Sequence, residues 1–417
     1  MQERKAEQAS SALGAFTRHP ATLAILALGI TQIVAWGTTL YALGVLGKPI
    51  AADTGWSQTI VFGGLTVGLL VSSATSTVVG RLIDRRGGQS VMALGSVLVA
   101  VGLVLLALVP SVAMYLVAWA FLGLAMRMTL YDAAFAALVQ VTPSRGRRAI
   151  SYLTLFGGFA SSVFWPIGHA LNSAYGWRTT LVIFAAINLL LCLPLHWFGL
   201  ARRETEAQAE HARVADAAAA PAAPPLEGAP RAIAMALFSV IVAASAVVFG
   251  ALAVHLVPLL EASGLTAAAA VFIASLKGVA QVVGRIWDLT LARKWHPIDV
   301  GRVSVAFMPL SFLVLMFGGA SFATALVFTL LFGISNGLVT IMRGAVPLAL
   351  FGPKGYGEVL GILATPYLLL AAIAPAAFAL VVERSGYNTA EALLLGAGLF
   401  SFLGMELMAF WYRRRAT

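Results

Sequence analysis

The sequence predicts an all-α membrane protein whose twelve transmembrane helices form two similar bundles of six. Of the 417 residues, 60% are hydrophobic and only 11% are charged, and the mean hydropathy is +0.91. Soluble domains carry about 25% charged and about 45–50% apolar residues, so this composition excludes a soluble globular protein. Twelve apolar runs are long enough to cross a bilayer, and a polar segment divides them six and six.

The apolar runs predict helices because their apolar character is continuous. A helix needs about 20 apolar residues to cross the hydrocarbon core, whereas a membrane β-strand has about 10 residues of alternating polarity. The twelve predicted spans are residues 22–47, 59–79, 91–109, 113–139, 150–174, 179–199, 232–260, 267–289, 299–317, 323–349, 358–381 and 390–411.

A charged and then Ala/Pro-rich segment separates two halves of the chain. We assign residues 1–200 to an N-terminal half, 201–231 to a cytoplasmic linker and 232–417 to a C-terminal half. The halves match locally at an offset of 210 residues, as in Gly176-Trp177-Arg178-Thr179 and Gly386-Tyr387-Asn388-Thr389. Parallel repeats of six spans are typical of transporters that bind substrate between the halves near the bilayer midplane.

Prolines inside two spans predict interruptions of the helices. Trp165-Pro166 in span 5 and Pro375 in span 11 occupy adjacent positions of the repeat. Proline removes a backbone hydrogen bond and clashes with the preceding turn, so we expect both helices to break or kink there.

The distribution of basic residues predicts the orientation in the membrane. The chain has 27 Lys and Arg against 17 Asp and Glu. With residue 1 in the cytoplasm, 20 of the 27 fall on cytoplasmic segments, 3 on the opposite side and 4 within spans. This asymmetry predicts a multi-pass protein of the cell inner membrane with both termini cytoplasmic, and it explains the net charge of +10 without a nucleic-acid partner. Because the residues before the first span are polar and charged, we expect no cleaved signal peptide.

The loop after span 2 carries the most specific motif. Residues Gly80 to Gln89 read GRLIDRRGGQ, which resembles the signature loop G-x-x-x-D-[RK]-x-G-[RK]-[RK] of the major facilitator superfamily. The matching residues are Gly80, Asp84, Arg85 and Gly87, while Gly88 and Gln89 stand where basic residues are usual. With six spans, a linker and six more spans, the resemblance covers essentially the whole chain.

The resemblance implies a gate at the cytoplasmic side. In this family the loop latches the two halves together, with the Asp facing the start of span 11, where a helix N-terminus carries about +0.5 of a charge. Asp84 and Arg85 would be the gate residues here. The alternative is an ordinary basic loop that only sets orientation. A displaced copy of the motif, Gly284 to Asp288, lies deeper, inside span 8.

Six charged side chains fall within the predicted spans and are the main functional candidates. An ionisable group at bilayer depth costs at least about 2.5–3.5 kcal/mol, so these groups should face the interior of the bundle. Four cations against two carboxylates leave two excess positive charges, which suits a site for an anion. The six residues are Arg127 and Asp132 in span 4, Lys277, Arg285 and Asp288 in span 8, and Arg343 in span 10.

The spacing of these residues suggests how they pair. Arg127 and Asp132 are five positions apart, about 140° around a continuous helix, so we expect them to address different partners. Arg285 and Asp288 are three positions apart and could neutralise each other near the cytoplasmic mouth. Arg343 could contact substrate or extend to the interface.

Depth favours two of the six charged residues, and side-chain type adds two aromatic candidates. Lys277 and Arg127 both lie too deep for their side chains to reach the interface, which favours a functional role for both. Trp36 and Trp165 rank highest among the aromatic residues, because each lies in mid-span beside small residues or a predicted break. Packing is the alternative role for the tryptophans.

These observations predict a secondary transporter rather than an enzyme. The sequence has no phosphate-binding G-x-x-x-x-G-K-[ST] motif and no metal-binding motif, so we expect no cofactor, and its single cysteine, Cys192, excludes an intramolecular disulfide. We expect a monomer in the bilayer that moves a small organic anion by proton symport or exchange, with Asp132 or Asp288 as the proton carrier. Residues 50–57 and a basic residue in span 8 are similar to the monocarboxylate and oxalate:formate carriers, which implies that Arg285, or Lys277 as its rival, binds carboxylate.

Two other functions remain open. The first is proton-coupled efflux of a drug, metabolite or metalloid, in which Asp132 would bind a cation and Arg127 would only be its structural partner. The second is a membrane receptor or assembly subunit that has kept the fold without transporting.

Overall fold

A computed structural model describes residues 20–206 and 224–416. We call these two stretches the first and second half of the described chain. The basic residues predicted for the cytoplasmic N-terminus, Arg4, Lys5 and Arg18, lie outside the described residues, as does most of the predicted linker, including Arg213.

The first half consists of nine helices and shorter turns. A 3₁₀ turn at Pro143–Arg145 precedes the seventh helix, and a π-helical turn at Asn188–Cys192 joins the eighth helix to the ninth. The helices are α1 (Pro20–Thr38), α2 (Ala42–Thr54), α3 (Gln58–Arg86), α4 (Gly88–Ala107), α5 (Val112–Thr129), α6 (Tyr131–Val141), α7 (Gly146–Gly157), α8 (Ala160–Ile187) and α9 (Leu193–Gly199).

The second half consists of five longer helices. They are α10 (Gly228–Ala262), α11 (Ala267–Thr290), α12 (Pro297–Phe317), α13 (Phe322–Phe351) and α14 (Tyr356–Ala416). Across both halves of the described chain, ten helical stretches are long and apolar enough to cross a membrane.

Two of these stretches are too long to be single spans. They contain 57 and 60 residues, which at 1.5 Å per residue is about twice the thickness of a bilayer. Each is interrupted by a glycine with non-helical dihedral angles: Gly176 (φ 77°, ψ 166°) and Gly386 (φ 76°, ψ 172°). These glycines are 210 residues apart and fall between the predicted spans 5 and 6 and the predicted spans 11 and 12.

The sequence repeat is also visible in how helices begin. Four helices start after a Ser or Thr whose hydroxyl oxygen accepts a hydrogen bond from the N–H three residues on, at 3.1–3.4 Å. The four residues form two pairs separated by 209 and 210 positions: Ser57 with Thr266, and Ser111 with Ser321.

The chain crosses repeatedly between two ends of the bundle. At the end that we call the linker end, Gln140 accepts a hydrogen bond from the Gly88 N–H at 2.8 Å, and Leu226 donates to the Leu350 carbonyl at 2.8 Å. The opposite end, which we call the far end, contains Gly176, Gly386 and the four capping residues.

The apolar cores follow the division of the chain. One cluster of buried residues draws all its members from residues 234–409, and another draws them all from residues 34–192. A third cluster, at the linker end, belongs mainly to the first half but includes Tyr356 and Leu360 of α14. The first two cores therefore stabilise each half separately, and the third joins them at the linker end.

The helix breaks are not where proline predicted them. Pro166 and Pro375 lie inside α8 and α14, which continue through both residues, so neither helix breaks at its proline. In a membrane helix, neighbouring groups can satisfy the carbonyl that a proline leaves free. The predicted spans 1, 4 and 5 are instead interrupted at residues 39–41, at Leu130 and at residues 158–159.

Candidate substrate site and gate

Three of the predicted site residues form one buried cluster. The Asp132 carboxylate accepts a hydrogen bond from Arg127 Nη1 at 2.5 Å and lies 3.1 and 3.2 Å from Arg343 Nη2. Arg127 and Asp132 are 6% and 9% exposed. The carboxylate therefore holds together a first-half pair and an arginine of the second half.

The pairing of Arg127 with Asp132 corrects the expectation that they address different partners. That expectation assumed a continuous helix, but Leu130 is extended (φ −80°, ψ −174°) and separates α5 from α6. Gln32 of α1 stabilises the break by donating a hydrogen bond to the Thr129 carbonyl at 2.7 Å. The break also places the cation in the last turn of α5 and the carboxylate in the first turn of α6, where each complements the helix dipole.

Arg343 is directed into the protein rather than towards the interface. Its guanidinium carbon lies 3.7 Å from the centre of the Tyr367 ring, and its other contact is Asp132. The two residues of this ion pair are 211 positions apart, one more than the repeat offset of 210. Nearly equivalent positions of the two halves thus meet at this ion pair.

Arg285 and Asp288 do not pair with each other, which corrects the predicted self-neutralising pair. Arg285 Nη1 donates to the Thr154 carbonyl at 2.6 Å, while the Asp288 carboxylate accepts from Ser151 Oγ at 2.6 Å and lies 3.5 Å from Arg147 Nη2. Both side chains turn to α7 because that helix offers an acceptor and two donors on one face. Each residue is only 3% exposed.

The ammonium group of Lys277 contacts an aromatic ring rather than a carboxylate. Its Nζ lies 5.4 Å from the centre of the Phe332 ring, and it forms no ion pair with a carboxylate of residues 20–206 or 224–416. The side chain is half-buried, and the adjacent Gly278 faces open space. Lys277 lies eight residues before Arg285 on α11, about 12 Å nearer the far end.

The signature loop contacts the start of α14. The Asp84 carboxylate accepts hydrogen bonds from the Gly357 and Glu358 N–H groups at 2.9 and 2.7 Å. Arg81 Nε lies 2.7 Å from Glu358 Oε1. A Cβ at Gly80 would lie 2.1 Å from the Gly357 carbonyl oxygen, so only glycine permits this approach.

The other two motif residues take different places. Arg85 is exposed, and Arg81 is the basic residue that contacts Glu358. Gly87 has a φ of 86° and forms the tight connection between α3 and α4.

The displaced copy of the motif makes the corresponding contact in the other half. Asp288 binds Ser151 and Arg147 near the start of α7, as Asp84 binds the start of α14. Arg147 also donates to the carbonyls of Ala292, at 3.1 Å, and Trp295. The polar face of α7, at positions 147, 151 and 154, was missed in the sequence, although its helical spacing was visible there.

The two predicted tryptophans belong to one row of aromatic rings. Ring centres are separated by 6.3 Å between Trp165 and Tyr41, 5.9 Å between Tyr41 and Trp36, and 5.2 Å between Trp36 and Tyr131. Trp165 is 49% exposed and its indole N–H donates to the Tyr41 carbonyl at 3.3 Å. Tyr131 was not singled out in the sequence because the break that brings it into the row was not predicted.

Comparisons with known proteins agree with this architecture. The model of the Major Facilitator Superfamily matches residues 25–320. Two solved structures share the fold: the human organic anion transporter MFSD10 (TETRAN), with 17% identity and a TM-score of 0.68, and the Major Facilitator Superfamily transporter FucP in the outward conformation, with 15% identity and a TM-score of 0.71. Each match covers 93% of this chain and 99% of the other.

One similar curated protein is an uncharacterized 38 kDa protein in the 23S RNA operon of Thermoproteus tenax. It is 30% identical over 155 residues, which is 37% of this chain and only 40% of the relative's length. The family match spans well over half of the chain and the solved transporters share its fold along nearly their whole length. The chain therefore belongs to the Major Facilitator Superfamily and is a membrane transporter rather than an enzyme.

Proposed function

We propose that the protein is a secondary transporter that moves a small organic anion by alternating access, with Lys277 as the residue that binds the anion. Twelve spans in two halves of six would rock around a central site, with both termini on the cytoplasmic side of the cell inner membrane. The two long helical stretches support twelve spans, because each is divided by its glycine, Gly176 or Gly386, into two bilayer-length pieces.

The embedded charges are unequally paired, and this observation is the main support for the proposal. Within the described chain, both embedded carboxylates already contact arginines, whereas Lys277 has only the face of Phe332 beside its ammonium group. A charge at bilayer depth without a counter-ion is expensive, and binding an anion would offset that cost. Lys277 is preferred to Arg285 because the Arg285 guanidinium is 3% exposed and bonded to Thr154.

The contacts between the halves support a gate at the linker end. Hydrogen bonds join the two halves over about 16 Å of α3. At one end of this stretch Asp84 contacts the start of α14, and at the other end Ser73 Oγ donates to the Thr365 carbonyl at 2.7 Å. In this proposal the structure represents the state that is closed at the linker end, and Asp84 and Asp288 release their partners when that end opens.

Proton symport would involve a paired carboxylate, whereas exchange for a counter-anion would not require one. Asp132 and Asp288 are the candidate proton carriers, since each loses an ionic partner when protonated. The same pairing disfavours efflux of a cation through Asp132, because two arginines already neutralise that carboxylate.

Anion counterflow in proteoliposomes tests the proposal. Vesicles preloaded with an unlabelled carboxylate should accumulate the same labelled carboxylate, with acetate, lactate, oxalate and benzoate tried in turn. Lys277→Gln should abolish the exchange and Lys277→Arg should retain part of it. Lys48→Gln, which removes an exposed lysine near the far end, is the matched control. Unchanged exchange in Lys277→Gln, or no exchange of any organic anion by the parent protein, would contradict the proposal.

A further inference from the structure

We infer that the substrate is a singly charged anion with a flat aromatic body, and that each half of the protein recognises a different part of it. Lys277 of the second half would bind the carboxylate, and Trp36, Tyr41 and Trp165 of the first half would bind the ring. This inference rests on the proposed function and specifies the substrate of the same site.

The number of accessible charges limits the substrate to one carboxylate. Arg127 is 6% exposed and hydrogen-bonded to Asp132, and Arg285 is 3% exposed and hydrogen-bonded to a carbonyl. Arg343 is held between Asp132 and the Tyr367 ring. A second carboxylate on the substrate would find no further exposed cation among these residues and would enter the site at the cost of its hydration.

The aromatic row offers a surface for a flat ring. The centre-to-centre spacings of 5.2–6.3 Å between Trp36, its neighbours Tyr41 and Tyr131, and Trp165 lie in the range of favourable aromatic contacts. The hydrogen bond from the Trp165 indole to the Tyr41 carbonyl orients that indole while about half of the residue remains exposed. A substrate ring could extend the row without displacing any of its members.

The aromatic row and Lys277 lie at similar depths in the bundle. Tyr41 is 13 residues before the end of α2 and Lys277 is 10 residues after the start of α11, so they lie about 20 and about 15 Å from the far end. Arg285, two turns further along α11, donates to the Thr154 carbonyl at 2.6 Å, and the hydroxyl of Tyr131 in the aromatic row donates to the same oxygen at 3.2 Å. α11 therefore runs beside the aromatic row, and a small substrate could contact both.

Equilibrium binding of four small probes to the purified full-length protein tests the inference. Benzoate has one charge and an aromatic ring, cyclohexanecarboxylate lacks the aromatic ring, isophthalate has a second carboxylate, and benzamide has no charge. We expect benzoate to bind at least ten-fold more tightly than each of the other three. Isophthalate or cyclohexanecarboxylate binding as tightly as benzoate would overturn the inference, as would failure of benzoate to bind.

Two variants separate the contributions of the charge and the ring. Lys277→Gln should weaken benzoate at least ten-fold and leave benzamide unchanged, whereas Trp165→Leu should weaken both probes. Trp197→Leu is the matched control, because Trp197 is also 49% exposed but lies near the linker end. Lys277→Arg, which keeps the charge, should restore benzoate binding and shows that the site folds. Equal losses of benzoate and benzamide in Lys277→Gln, or no loss of either in Trp165→Leu, would overturn the assignment.

Failure of the inference can be distinguished from failure of the proposed function. If benzoate does not bind while proteoliposomes exchange another carboxylate, only the aromatic substrate is wrong. If no organic anion is exchanged, the proposed function is wrong as well.

Discussion

At the scale of single residues, Asp132 has the largest number of charged partners among the embedded groups. It contacts Arg127 across the break between α5 and α6, and it contacts Arg343 from the other half. Removing its charge would leave two buried guanidinium groups without a counter-ion. Such a loss is more costly than the loss of an exposed ion pair, because the remaining charges stay in a medium of low dielectric constant.

We therefore expect Asp132→Asn to lower stability by about 3–5 kcal/mol, the usual cost of removing one partner of a buried pair. Thermal denaturation in detergent, followed by intrinsic fluorescence, would measure it as a lower Tm. The double variant Asp132→Asn/Arg127→Gln should lose less than the sum of the two single variants, because it removes one of the orphaned charges. Strictly additive losses would show that the two residues do not interact.

At the scale of elements, two glycines allow the chain to turn between consecutive spans. Gly176 and Gly386 combine a positive φ with a ψ near 170°, a conformation that is essentially restricted to glycine. We expect Gly176→Ala and Gly386→Ala each to destabilise the protein by about 1–3 kcal/mol, because a Cβ is strained in this region.

Parallel Tm measurements on the two variants also test the repeat. Similar losses are expected from the two halves, since the dihedral angles of the glycines agree within 6°. Gly63→Ala is the control, because a Cβ there meets no heavy atom within 4 Å and Gly63 lies inside α3. A neutral result for Gly176→Ala or Gly386→Ala would mean that the turn does not depend on glycine.

The contact between α3 and α14 is the second feature at this scale. A methyl group at Gly80 would lie 2.1 Å from a backbone oxygen of α14, so Gly80→Ala should force these helices apart and favour opening of the linker end. A Ser76→Cys reporter in a Cys192→Ala background measures the opening, because Ser76 is fully buried beside Gly361.

Faster maleimide labelling of Ser76→Cys in the Gly80→Ala variant is the expected result. Gly396→Ala provides the control, since a Cβ at Gly396 of α14 meets open space. Equal labelling rates in the Gly80→Ala and Gly396→Ala variants would show that this contact does not hold the linker end closed.

At the scale of the whole molecule, the repeat was predictable and the break in span 4 was not. The glycines at positions 176 and 386 and the capping residues recur at offsets of 209 or 210, so they could be recognised in the sequence. The signature loop likewise placed Asp84 at the start of α14. The glycines and caps depend on local chemistry, which one sequence contains in full, whereas the contact of Asp84 was implied only by the resemblance to the family.

The partners of the embedded charges depend on tertiary structure and were therefore predicted poorly. Leu130 interrupts the helix without a proline or glycine, because Gln32 satisfies a carbonyl there from a distant part of the chain. Arg285 and Asp288 have suitable spacing for a pair, yet α7 offers both of them better partners. Lys277 and Arg285 are the two embedded cations without a carboxylate partner in the described chain, and of these only Arg285 is hydrogen-bonded to a carbonyl. Lys277 could not be singled out until these contacts were known.

A ligand-bound structure of the full-length protein, with a transported anion in the central site, tests most directly whether Lys277 binds the anion. We predict density for the anion with its carboxylate within about 3 Å of the Lys277 Nζ, the distance of a charge-assisted hydrogen bond, while Asp132 remains bound to Arg127. An anion bound away from Lys277, or a ligand bound to an Asp132 carboxylate that has released Arg127, would contradict the assignment of Lys277 as the anion-binding residue.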